Sequence, residues 1–79
     1  KNKKLKVSPN PVSIFLYVEI PSQHETATVK MYDILGKKVL EKTVSATQTT
    51  INVASLSKGI YLAKIEVNGL SITKKIIKN

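Results

Sequence analysis

The sequence predicts an all-β fold in which seven short strands form a two-sheet sandwich, and three observations carry that prediction. Apolar residues recur with period two in short runs from Leu5 to Ile77, the pattern of strands with one buried face. Pro, Gly, Asn, Asp and Ser interrupt those runs at the roughly 8–12-residue spacing of a sandwich or barrel. No segment combines the length and the period of a helix. With 79 residues the chain can bury one core and not two, so 1–79 is read as a single domain.

Strands are expected over 4–8, 14–20, 26–34, 38–45, 48–53, 59–67 and 70–77. In 14–20 alternation sets Leu16, Val18 and Ile20 toward the core and Phe15, Tyr17 and Glu19 away from it. The inward set is Ala27, Val29 and Met31 in 26–34, and Thr49, Ile51 and Val53 in 48–53. In 59–67 Tyr61, Ala63, Ile65 and Val67 face in; outward Ile60 and Leu62 leave the other face half apolar, which predicts partial cover.

Two turns are specified by local chemistry. Asn68-Gly69, between Val67 and Leu70, suits a two-residue type I′ hairpin loop, because both positions need positive φ. Asp33-Ile34-Leu35-Gly36 suits a type I turn closed by a left-handed glycine, with the Asp33 carboxylate capping nearby amides. Strand seven then poses a conflict. The register set by Asn68-Gly69 places Lys74 on the inward face beside Ala63, where a charge is costly. A bulge near Lys74-Lys75 is therefore expected, turning Lys74 out and returning Ile76 or Ile77 to the core.

Composition narrows the function. A 42% hydrophobic and 23% charged chain is neither depleted enough for disorder nor continuous enough for a membrane span, so no direct membrane insertion is expected. Without cysteine there is no disulfide framework, Cys-based zinc site or thiol nucleophile. The net charge is +8, and all thirteen basic residues are lysine. Sequence-reading nucleic-acid domains rely on the bidentate fork of arginine, so no nucleic-acid partner is expected. Lysines also keep edge strands from pairing with other molecules, which accounts for them without any recognition role.

No catalytic or metal constellation emerges. His24 is the lone histidine, in the polar loop Ser22-Gln23-His24-Glu25-Thr26, and the five acidic residues are scattered. Neither a zinc set, a calcium loop nor a carboxylate pair can be assembled from them. The expectation is no metal, no cofactor and no enzyme. Outward Phe15 and Tyr17, with Tyr32 on a neighbouring strand, offer a small aromatic platform for sugar rings, or simply cover a sheet face.

The most informative stretch is Leu56-Ser57-Lys58-Gly59-Ile60-Tyr61: a leucine plug, a glycine at which the chain reverses, and a tyrosine opening the next strand. It resembles the tyrosine corner of immunoglobulin-like sandwiches, whose hydroxyl bonds to backbone upstream. The fold class is thus a seven-stranded immunoglobulin-like β-sandwich.

Four segments resemble one family in order and spacing: Ser8-Pro9-Asn10-Pro11, Val29 through Val39 with its Asp33 and Gly36, Leu56 through Tyr61, and the closing Thr73-Lys74-Lys75-Ile76-Ile77-Lys78. The chain looks like a type A C-terminal sorting domain of the type IX secretion system, a resemblance covering essentially its whole length. It departs at Ser13 and Ile14, where many members carry glycine. The resemblance implies a non-catalytic signal on large exported proteins of the Bacteroidetes group. The cargo lies N-terminal to it and reaches the periplasm by its own signal peptide. The implied partners are an outer-membrane shuttle, the translocon and a sortase-like protease that removes the domain. The implied location is secreted or cell-surface. A chain starting at Lys1 rather than methionine also reads as a piece of a longer protein.

By residue, the resemblance places the Pro-Asn-Pro motif on Pro9, Asn10 and Pro11, structural motif positions on Asp33, Gly36, Leu56, Gly59 and Tyr61, and translocon recognition on Lys74, Lys75, Ile76, Ile77 and Lys78. The implied mechanism displays the last strand with a free edge, ready to be paired by a partner strand. On that view residues 75–79 can be removed with the sandwich still folded. The alternative is a fibronectin-like accessory or carbohydrate-binding module of a secreted enzyme.

Overall fold

The computed structural model describes residues 6–20, 26–45 and 49–79. It contains seven strands: β1 Lys6–Ser8, β2 Phe15–Glu19, β3 Thr26–Tyr32, β4 Lys38–Ser45, β5 Thr50–Asn52, β6 Gly59–Val67 and β7 Leu70–Lys78. All ladder pairings between strands are antiparallel. One sheet has the order β1-β2-β5, the other β4-β3-β6-β7. This is an immunoglobulin-like sandwich in which the fourth strand joins strands three, six and seven rather than strands one, two and five. The long axis of 35 Å follows from the nine-residue strands β6 and β7, each about 30 Å long at ~3.3 Å per residue.

The core forms where the alternation places it. Leu16, Val18 and Ile51 from one sheet meet Val29, Met31, Ala63 and Ile65 from the other, all essentially inaccessible to water. Ile20 and Leu56 pack at the margin. Both hairpin turns form as their chemistry requires. Asn68 and Gly69 have φ of 51° and 83°, and the ladder runs directly from Val67↔Leu70. Gly36, at φ 87°, closes a turn in which its N–H donates to the Asp33 carbonyl at 3.0 Å. The Asp33 carboxylate accepts from Leu35 N–H at 2.9 Å and Lys37 N–H at 3.0 Å, satisfying two turn amides at once.

The irregularity expected in β7 lies elsewhere. The β6–β7 ladder is unbroken from Gly59↔Lys78 to Val67↔Leu70, so Lys74 stays on the face shared with Ala63. It is nonetheless exposed. β7 is an edge strand, so a long side chain there leaves its ammonium in water. Lys42 repeats this on the opposite edge: it pairs with buried Val29 and is exposed. Inward-pointing lysines on both edges oppose edge-to-edge association.

The register shift is in β3–β4, where Met31 pairs with Leu40 but Tyr32 with Lys38. Val39 is the extra residue, and it brings Lys38 and Glu41 to the same side, which a regular strand would not do at a three-residue separation. Their side chains form a hydrogen-bonded ion pair. That hydrogen bond holds the Glu41 carboxyl below the usual carboxylate range and raises the Lys38 ammonium above its own. Both groups are open to solvent, where such a pair adds little stability.

Candidate functional site

The segment after β1 leaves its own sheet and crosses to the edge of β7. There the Asn10 amide docks as a peptide group would: Nδ2 donates to the Lys75 carbonyl at 2.8 Å, and Oδ1 accepts from Ile77 N–H at 2.9 Å. A primary amide carries both a donor and an acceptor, so it can complete a strand edge. Pro9 and Pro11 lack N–H groups and leave no donor to satisfy on either side. Val12 continues the contact by backbone, donating to the Ile77 carbonyl and accepting from Asn79 N–H, both at 2.8 Å. Its side chain is fully buried, an isolated valine that strand periodicity alone does not find.

The terminal strand edge is therefore not free along its length. Asn10 and Val12 occupy it over residues 75–79, which corrects the expectation of an edge open to partner pairing. Asn10→Ala is expected to cost about 0.5–1.5 kcal/mol for each of its two hydrogen bonds, the net range where water can replace the lost partner. It should also speed amide exchange at Ile77 selectively; unchanged exchange there would show that the strap contributes nothing in solution.

The lysine-rich tail divides by side. Lys74, Lys75 and Ile77 are exposed, whereas Ile76 lies in the core and Lys78 is largely covered. The Lys78 ammonium donates to the Asn79 carbonyl at 3.2 Å. Of the five tail positions, three are therefore open to solvent, Lys75 and Ile77 from the outer face and Lys74 from the inward face at the sheet edge, and two hold the strand in place.

Tyr61 forms the corner: its ring is buried and its hydroxyl donates to the Ser57 carbonyl at 2.7 Å. Leu56 packs against the core ahead of it. Gly59 opens β6 opposite Lys78. The register carries these motifs to one place. Tyr32, the last residue of β3, lies opposite Leu62, and Leu62 lies opposite Lys75. The turn 33–36 therefore overhangs the start of β6, at the end where β7 finishes and Asn10 docks. Four segments far apart in sequence share one end of the four-stranded sheet.

Read from sequence, the turn at this end is structural; in space its two central side chains are its most exposed feature. Ile34 and Leu35 are 77% and 88% accessible. The available signal was their position, since turn centres ordinarily carry polar residues, Pro or Gly. Ile60 and Leu62, for which partial cover was expected, remain 47% and 45% accessible on the sheet's outer face, and no described element lies over them.

The aromatic platform does not assemble. Phe15 and Tyr17 are exposed on β2, but Tyr32 belongs to the other sheet. Phe15 instead borders an open groove of about 270 Å³ with Lys42, Thr43, Thr50, Ile51 and Asn52. His24 lies outside the described residues. Among the described residues, no group of three or more His, Cys, Asp or Glu side chains is placed to hold a metal ion.

The sequence model of the secretion system C-terminal sorting domain matches residues 6–79, nearly the whole chain. The chain belongs to that family. The sorting domain is a C-terminal secretion signal of the type IX system, directing export across the outer membrane to the cell surface or beyond. A similar curated protein is the funoran endo-beta-hydrolase of Wenyingzhuangia aestuarii, 31% identical over 65 residues. That match covers 81% of the sorting domain and 9% of the hydrolase, so the chain corresponds to a small part of that relative's length.

Proposed function

We propose that this sorting domain is the non-catalytic export signal of a larger protein and is read at the end of the sandwich where its four motifs meet. The observation that supports this most is the docking of Asn10 onto Lys75 and Ile77. It joins the Pro9-Asn10-Pro11 motif and the lysine tail into one surface. Asp33 with Gly36 shapes the turn beside that surface, and Leu56, Gly59 and Tyr61 hold the corner beneath it. Lys74, Lys75 and Ile77 meet the secretion machinery, comprising an outer-membrane shuttle, the translocon and a sortase-like protease. Ile76 and Lys78 set the strand's position. The whole of 1–79 acts as one unit behind an N-terminal cargo domain, which the protease separates from it after export.

The test is a reporter carrying a periplasmic signal peptide and followed by residues 1–79, expressed in a type IX-competent host. Export that stops in a translocon mutant is the expected result. Lys74→Gln together with Lys75→Gln should keep the thermal melt and lower the exported fraction roughly tenfold, because rim charges steer association. Undiminished export of that folded variant would remove the two lysines from the recognition surface.

A further inference from the structure

We propose that the apolar end of the four-stranded sheet is a docking surface for a protein partner whose apolar groove is bordered by carboxylates, with Ile34 and Leu35 as its anchors. This deepens the export-signal reading and rests on it for the biological setting. The surface has two parts: the turn tip with Ile34 and Leu35, and the adjoining outer face with Ile60, Leu62 and Ile77, the last three 47%, 45% and 38% accessible. Ile60 and Ile77 are ladder partners, and Leu62 is two residues along the same face. Singly exposed aliphatics need no explanation, but five at one end of one sheet, three of them neighbours in the β6–β7 ladder, are the kind of apolar grouping that marks an interaction site.

Charge decides the kind of partner. The described ion pairs are closed within the domain: toward the other end of the sheet Glu66 lies 3.8 Å from Lys30 and 3.5 Å from Lys64, and beside the turn Glu41 holds Lys38, which pairs with Tyr32. Asp33, the acid at the turn, is occupied by the Leu35 and Lys37 amides. Lys37 and Lys58, two residues from Leu35 and Ile60, and Lys75, opposite Leu62, flank the apolar group in exposed positions without an ion pair among the described residues. The uncompensated charge around the apolar centre is thus positive, and its complement is an apolar centre rimmed with Asp and Glu. A domain that acts as a secretion signal is read by the secretion machinery, which favours protein.

The experiment uses the exported reporter fusion with a photo-crosslinking amino acid at position 35. Burying two aliphatic anchors corresponds to roughly 100-fold in affinity or more. Ile34→Ser with Leu35→Ser should therefore lower the exported fraction by roughly tenfold or more while the purified domain melts as the wild type does. Tyr17→Ser, on the other sheet, should export normally. The crosslink should trap a single host protein through a peptide containing carboxylates, and the adduct should disappear in Lys37→Glu with Lys58→Glu. Undiminished export of the Ile34/Leu35 variant, an adduct to lipid or to a second copy of this chain, or a protein adduct indifferent to the charge reversal overturns the proposal. A wild-type fusion that stays in the periplasm overturns the export-signal reading instead. The crosslink then decides the surface alone, and absence of a charge-sensitive protein adduct rejects it.

Discussion

Removing Lys75 to Asn79 is expected to unfold the domain, not to leave a folded sandwich lacking its signal. The deleted residues supply the ladder partners of Gly59, Ile60, Tyr61 and Leu62 and the docking site of Asn10 and Val12. They also remove Ile76, which is 1% accessible. Losing a buried aliphatic side chain of this size costs ~2–5 kcal/mol, and a single core in a domain this small supplies only about 3–5 kcal/mol in all. The core term alone can exhaust that margin before any lost hydrogen bond is counted. Far-ultraviolet circular dichroism and a thermal melt of the truncated chain decide the matter. A cooperative melt would mean that the C-terminal half of β7 is dispensable and that the sandwich closes without it. A secretion defect after such a truncation therefore carries no information about recognition, whereas surface changes at Lys74 and Lys75 do.

Tyr61→Ala is expected to have a comparable effect and Tyr61→Phe a small one. Alanine removes a ring that is 7% accessible and costs ~3–5 kcal/mol by the usual loss for a buried aromatic, again the full margin of a small domain. Phenylalanine keeps the ring and loses only the bond from the hydroxyl to the Ser57 carbonyl, worth ~0.5–1.5 kcal/mol. For a chain of this length that corresponds to a fall in Tm of about 4–8 °C for each kcal/mol. Thermal melts of the two variants separate the corner's packing from its hydrogen bond. If the two variants melt alike, the buried ring contributes nothing beyond the hydroxyl's bond to the Ser57 carbonyl, and packing at the corner is not what stabilises the domain.

The strands and turns were legible in the residues because each depends on near neighbours in the chain. Leu16 and Val18, Val29 and Met31, and Ala63 and Ile65 alternate with polar or outward partners and are buried accordingly. Asn68-Gly69 and Asp33 through Gly36 carry the conformational preferences of their turns within themselves. The expected bulge at Lys74-Lys75 was the product of the same local logic taken too far. It treated an inward-facing position as a buried one, but at Lys74 the inward side of the edge strand is open to water, while Ile76 two residues on is buried. The actual shift, at Val39, sits in a pairing that no local pattern singles out.

Residues 1–79 determined by themselves an all-β chain, its two tight hairpins, the corner tyrosine and the family resemblance, since period-two burial and turn geometry are properties of adjacent residues. Only the tertiary structure decided what those motifs do together. Asn10 and Ile77 stand 67 residues apart, and no spacing in the chain announces that the amide of one completes the strand edge of the other. The same holds for Ile34 and Leu35, Ile60 and Leu62, and Lys75. Their meeting at one end of a sheet follows from ladder register and strand order, which arise from the packing of two sheets on one core.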